Sequence, residues 1–231
     1  MDNLIFVLFI GLGILFPLIA SAGDLRKLFL AWRVPTTWIS ALPGKGWVEV
    51  LGRIRGDPIK SPFRHSNCIF WQLEIQEYQN RGRGGGSWRT IHKSSSGVFM
   101  LDDMTGRIQV EDSSAGLLTN NQSGGDTSEP DAKNFIENLG IQTTGFLGIK
   151  KRLRMFERII LPDEEILVLG RLLKSSNPVT IVGNDITPLV ISNLGRAETN
   201  KALLIRAGKP ALISLAVFAA FVIFFVLANS Q

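Results

Sequence analysis

From Ile69 the chain alternates so regularly that a half-buried β-strand is the form that fits it: Ile69, Trp71, Leu73 and Ile75 share one parity, and Gln72, Glu74 and Gln76 the other. Upstream, the run beginning at Trp47 carries a shorter alternation, Val48, Val50 and Ile54, before Gly56, Pro58 and Pro62 interrupt it. Those residues suit neither a helix nor an uninterrupted central strand. Residues 47–78 therefore read as strand, loop, strand. One face of the second strand is expected to build a core while the other meets solvent.

Charge is placed unevenly around this block. All 25 Lys and Arg of the 231-residue chain lie between Arg26 and Lys209, and outside that interval the charged side chains are Asp2 and Asp24. Residues 4–23 and 211–228 are free of charge and near the ~20 residues that span a hydrocarbon core. Both are expected to be transmembrane helices. For the first, a cleaved signal ending at Ala20-Ser21-Ala22 is the competing reading, but Met-Asp-Asn lacks the positive start of such peptides. Arg26, Lys27 and Arg33 follow the first segment, and Lys201, Arg206 and Lys209 precede the second. By the positive-inside rule the centre faces the cytoplasm and both termini lie outside. The expected architecture is an integral membrane protein: juxtamembrane segments at 24–45 and 201–210, and a β-rich α+β domain at 46–200. That domain reads as an OB-like barrel or as two related β units.

Within 24–45, Leu25, Leu28, Phe29 and Trp32 against Arg26, Lys27 and Arg33 predict a short amphipathic helix that Pro35 ends. Asn80 to Ser87 is a Gly-rich hairpin tip with Arg81 and Arg83; no Gly-Lys-Ser/Thr follows, so it is not a phosphate loop. Trp88 to Ser94 returns as a strand, and Gly97 to Glu111 is a hairpin turning at Asp102-Asp103-Met104-Thr105-Gly106. Thr119 to Glu129 is expected to be a surface loop containing the sequon Asn121-Gln-Ser123. A short helix follows, from Ser-Glu-Pro-Asp at 128–131 to Gly140. Lys150, Lys151, Arg152, Arg154 and Arg158 form the most basic cluster, either a solvated strand face or a contact for lipid headgroups or a partner. Leu-Gly-Arg occurs in two apolar strands, at 51–53 and 169–171, a weak internal echo.

Several of these segments together resemble a known family. Gly46, Val48, Val50, Gly52 and Ile54, then Ser61-Pro62, then Cys68, Phe70 and Trp71 follow the order of the GIDE-type domain of MULAN-like, membrane-anchored ubiquitin ligases. Further matches are Phe99, Leu101, Asp103, Thr105, Gly106, Ile108 and Val110, and later Glu157, Leu161, Pro162, Val168, Leu169 and Gly170. The resemblance implies a RING-less homologue of prokaryotic type. A RING binds two zinc ions through about eight Cys and His ligands; this chain has one Cys and two His, so the family's ligase activity does not carry over.

No catalytic constellation, metal site or cofactor site is expected. Cys68 with His65 is the one nucleophile–base pairing on offer, and Cys68 sits between apolar strand residues as a buried cysteine would. The expected function is that of a non-enzymatic, membrane-tethered interaction module whose partner is a membrane or membrane-associated protein. One alternative is nucleic-acid binding through Phe70, Trp88, Arg81 and Arg83; another is a hydrolase using Cys68.

Overall fold

Strand pairing assembles the alternating segments into two sheets. The computed structural model describes residues 23–80, 86–112, 116–145, 148–173, 178–183 and 188–208. They fall into two units, the described residues of 36–195 and the flanking segments 23–35 with 196–208.

The larger unit is mainly β and is built on a closed barrel. Five strands form the ring: β1 (Gly46–Arg55), β6 (Val98–Asp102), β7 (Arg107–Asp112), β12 (Thr180–Gly183) and β11 (Glu165–Leu173), which pairs back with β1. All ring pairings are antiparallel except β7 with β12. This Greek-key ring is a barrel of the OB type. Val48, Val50, Ile54, Phe99, Leu101, Ile108, Val110, Ile166, Val168 and Ile181 fill it. Outside the ring, β11 also pairs with β13 (Val190–Ser192), which pairs with β8 (Gly116–Leu118).

The second sheet is carried entirely on insertions between ring strands. The chain between β1 and β6 forms β2 (Ile59–Lys60), β3 (Asn67–Cys68), β4 (Phe70–Asn80) and β5 (Gly86–Ser95); that between β7 and β11 adds β9 (Gln122–Asp126), a helix at Pro130–Asn138 and β10 (Leu153–Ile160). Sheet order is β5-β4-β10-β9. Leu73, Ile75, Leu153 and Met155 meet Ala132 and Ile136 of the helix in a separate core. The helix has Pro at its first turn and is followed by Gly140 at φ +75°, the start and stop that its residues predict.

Four expectations change here. The start of β4 is buried on both faces: Cys68, Phe70 and Gln72 are as hidden as Ile69 and Leu73, because Phe70 enters the barrel core while Leu73 faces the helix. Residues 122–126, expected as loop, are strand β9. A Cβ on Gly124 would stand 2.6 Å from the Met155 carbonyl oxygen, and one on Gly125 would stand 2.9 Å from Ala132 Cβ, so these glycines serve close packing rather than a turn. The two Leu-Gly-Arg strands are not separate β units. They pair antiparallel in one barrel, with Val48 opposite Gly170 and Gly52 opposite Ile166. A Cβ on Gly52 would lie 2.7 Å from the Asp102 carbonyl oxygen, and one on Gly170 would lie 2.5 Å from Ile181 Cγ2. The echo marks two crowded positions of one ring.

The fourth correction concerns the membrane. Among the described residues no helix is long and apolar enough to cross one. In the smaller unit the helical stretches 23–33 and 196–208 carry Arg26, Lys27, Arg33, Lys201 and Arg206, and each falls short of the ~20 apolar residues a span requires. The expected spans at 4–23 and 211–228 lie, apart from Gly23, outside the described residues. The two-span architecture, with its cytoplasmic centre and external termini, is therefore withdrawn as the description of this fold. Along 23–33 the buried side chains are Leu28, Leu30 and Ala31, while Leu25, Phe29 and Trp32 are exposed. Lys27 pairs with Asp24 at 3.3 Å, and Arg196 donates to the Val34 carbonyl at 3.3 Å.

Candidate functional site

The motif residues do not converge on one centre; the fold distributes them among three structural tasks and leaves two surfaces beside them. The first task belongs to the hairpin turn. Asp103 accepts hydrogen bonds from the Thr105 and Gly106 amides at 2.9 and 3.1 Å, from the Thr105 hydroxyl at 2.7 Å, and from the Ile39 amide at 2.6 Å. Thr105 Oγ1 in turn accepts from the Ser40 amide at 3.1 Å. The Asp-x-Thr-Gly motif thus clamps the segment entering the barrel. Burial alone would raise the Asp103 carboxyl, but these donors outweigh it and hold the group below its ordinary value.

A cleft of about 540 Å³ opens beside this clamp, lined by Thr36, Thr37 and Trp38, by Leu51, Gly52, Arg53 and Arg55 of β1, by Asp102, Asp103 and Met104 of the turn, and by Glu165. Trp38 and Met104 stand at its rim with 59% and 94% of their surface exposed. Arg55 pairs with Asp163 and Arg107 with Asp102, while the Arg53 side chain has no hydrogen bond or ion pair among the described residues. Of the motif residues, Gly52 and Asp103 reach this cleft.

The second task is a cradle for one buried acid. Glu157 is 1% exposed and accepts from the Ser61 hydroxyl at 3.0 Å, the Phe63 amide at 2.7 Å and the Arg64 amide at 3.1 Å. Ser61 Oγ also accepts from the Ser66 amide at 3.1 Å. The Ser61-Pro62 motif is therefore the wall of a carboxyl-binding turn. Cys68 is fully buried, its Sγ 3.6 Å from the Ile59 carbonyl oxygen, and burial, followed by the charge of Glu157, pushes its thiol up to about 11. A thiolate nucleophile is not available at neutral pH. Because folding favours the thiol, the stability this gives is complete below the ordinary thiol value of 9.0 and is lost as pH rises through about 11. In paired alkaline unfolding series, Cys68→Ala is expected to lack this component of the loss. Iodoacetamide should label wild-type Cys68 rapidly only in denaturant; fast native labelling would contradict the buried thiol.

The third task is packing. Gly46, Val48 and Val50 belong to β1 and Gly170 to β11, where Val48 and Val50 enter the core and Gly170 leaves room for Ile181.

Of the basic cluster, Arg154 and Arg158 lie on the outer face of the second sheet and Arg152 just ahead of β10, while Lys150 bridges Thr144 before it. Arg154 lies over the Trp88 ring at 4.0 Å and near Phe156 at 5.1 Å, and Arg152 lies over Tyr78 at 4.7 Å. Arg158 pairs with Glu74 at 3.1 Å, and Lys151 with Glu77 at 3.2 Å. Burial would raise Glu74, but hydrogen bonds from Thr90, Gln76 and Arg158, with the charge of Arg158, carry it below its ordinary value. Arg81 and Arg83 lie outside the described residues, whereas Arg26 and Lys27 belong to the smaller unit. Phe70, a candidate for base stacking, is fully buried in the barrel. Sequence reasoning missed Trp38, Tyr78 and Phe156; the shared parity of Arg152, Arg154, Phe156 and Arg158 was the available signal for the last. Compared with known proteins, the chain matches no family model, no curated protein and no solved structure.

Proposed function

We propose that this chain is a non-enzymatic interaction module that binds a protein partner through the cleft beside the barrel hairpin, in the manner of a RING-less GIDE-type central domain. The observation that carries this reading is the pairing of exposed Trp38 and Met104 at the rim of a 540 Å³ cleft. A Trp beside a concave, partly apolar surface is the usual anchor of a protein interface. Among the described residues its walls hold carboxylates and arginines but neither His nor Cys. Cys68, the group that a hydrolase would use, is fully buried with its Sγ 3.6 Å from the Ile59 carbonyl oxygen. Family resemblance supports the same reading, since Gly52 and Asp103 both reach this cleft.

Photocrosslinking from position 104 of the full chain tests the proposal. One identified partner should be captured there, bind the purified chain, and lose roughly tenfold or more in affinity on Trp38→Ala without a change in unfolding midpoint. Equal capture from the remote Lys60 position, or unaltered affinity of Trp38→Ala, would remove the cleft from consideration.

A further inference from the structure

The outer face of the second sheet is a different surface from the cleft, and its side chains are arranged with a defined chemistry. Tyr78 and Trp88 are directly opposed across β4 and β5, edge to face with centroids 5.3 Å apart. Gly86 fixes the pair from below: a Cβ there would fall 2.2 Å from Tyr78 Cζ, so the tyrosine ring rests on the glycine. Onto this platform come two guanidinium groups, Arg152 from the residue just before β10 over Tyr78 and Arg154 from β10 itself over Trp88. Arg154 is also tethered at one edge, where Nε donates to Gln76 Oε1 at 2.9 Å. Its other hydrogen-bond donors, at the tip of the fork, have no partner among the described residues. Arg158 differs: its Nε donates to Gln122 at 2.8 Å and its NH1 to Glu74 at 3.1 Å, so it is largely engaged.

We propose that Arg152 and Arg154, held on the Tyr78–Trp88 platform, form a docking site for an acidic, extended segment of a protein partner. Stacking on a ring orders an arginine before binding, and its planar fork then accepts a carboxylate in two hydrogen bonds. The Arg152 carbonyl still accepts from the Tyr78 amide at 2.9 Å, so the β4 register continues one residue ahead of β10, and two positions of such extended chain span ~7 Å, the spacing of alternate side chains in an extended peptide. The acids on this face, Glu74 and the nearby Glu77, are bound to Arg158 and Lys151. Asp126, whose carboxyl is held below its ordinary value by Ser128 and, more weakly, by Arg152, is an internal acid that competes for Arg152. Single-stranded nucleic acid is the poorer occupant, because bases stack on open aromatic faces, and here the guanidinium groups already cover Tyr78 and Trp88.

The test measures binding to the full chain of a short fluorescent peptide alternating Glu with Ser, its Gln counterpart, an oligothymidylate, and vesicles of phosphatidylcholine with phosphatidylserine. The Glu peptide should bind in a salt-sensitive manner and the Gln peptide roughly tenfold or more weaker. The double variant Arg152→Gln/Arg154→Gln should lose the Glu peptide to the same extent, while Lys60→Gln retains it. Arg154→Lys, which keeps the charge but not the fork, should bind at an intermediate level and serves where the double variant does not fold. Equal binding of Glu and Gln peptides, tighter binding of oligothymidylate or vesicles than of the Glu peptide, or wild-type affinity in a folded double variant would each overturn the proposal. Loss of the cleft partner in Trp38→Ala leaves these results unaffected, so the two surfaces are judged separately.

Discussion

Glu157→Ala is expected to lower the free energy of unfolding by about 3–5 kcal/mol, measured by urea denaturation of the full chain. The carboxyl group is buried and accepts from one hydroxyl and two backbone amides, and the substitution leaves all three donors facing a void. Hydrogen bonds to an acidic acceptor contribute about 1.5–3 kcal/mol each, but donors that share one acceptor do not add independently. Glu157→Gln keeps one acceptor and turns an NH2 group toward the remaining donors. Its loss is expected to be smaller, about 1–3 kcal/mol. Amide exchange at Phe63 and Arg64 should accelerate in both variants. A Glu157→Ala chain within about 1 kcal/mol of the wild type would show that the turn at 61–66 holds its shape without the acid.

Phe70→Ala is expected to cost about 3–5 kcal/mol, although Phe70 lies at the start of a strand whose sequence pattern places it on the solvent side. Its ring is fully buried and meets Phe99 edge to face, with centroids 5.1 Å apart, inside the barrel. The void would open in the cluster that Phe70 shares with Phe99, Leu101 and Ile166 of the ring strands, which collapse little because the ring is closed. The check is the shift in denaturation midpoint at constant slope. A cost near 1 kcal/mol would mean that the barrel wall relaxes into the space.

These two positions also show what the sequence makes legible. Hairpin 98–112 can be read directly, because Phe99, Leu101, Ile108 and Val110 alternate about a turn whose Asp and Gly have local reasons to be there. The helix at Pro130–Asn138 is equally local, with a proline at one end and Gly140 past the other. Phe70 is misread because parity reports which residues share a face. It does not report that insertions will bring both faces of β4 into contact with something. Glu157 is misread for a related reason: between Arg154 and Arg158 it looks like one more surface charge, and its donors at 61–64 are about ninety positions away in the chain. Gly124 looks like loop until β10 is known to run beside it, and Gly125 until a helix is known to pack on it. The candidate surfaces follow the same rule. Asp103 announces its turn, but its bond to Ile39 and the resulting cleft join segments more than sixty residues apart. Arg152 and Arg154 are visible as basic residues, whereas the rings beneath them come from another hairpin.

Barrel closure joins Gly46 to Leu172, so nearly the whole β unit lies inside one chain loop. The entropy lost in closing such a loop grows only with the logarithm of its length, about 0.6 kcal/mol for each doubling. Lengthening the connections between ring strands was therefore inexpensive, provided that the added chain brought its own packing. It does so through Leu73, Ile75, Leu153 and Met155 under the helix. The ring thus acts as a host with a low entropic threshold for enlargement. The arginine-bearing sheet can change its outward side chains while the closure between β1 and β11 stays as it is.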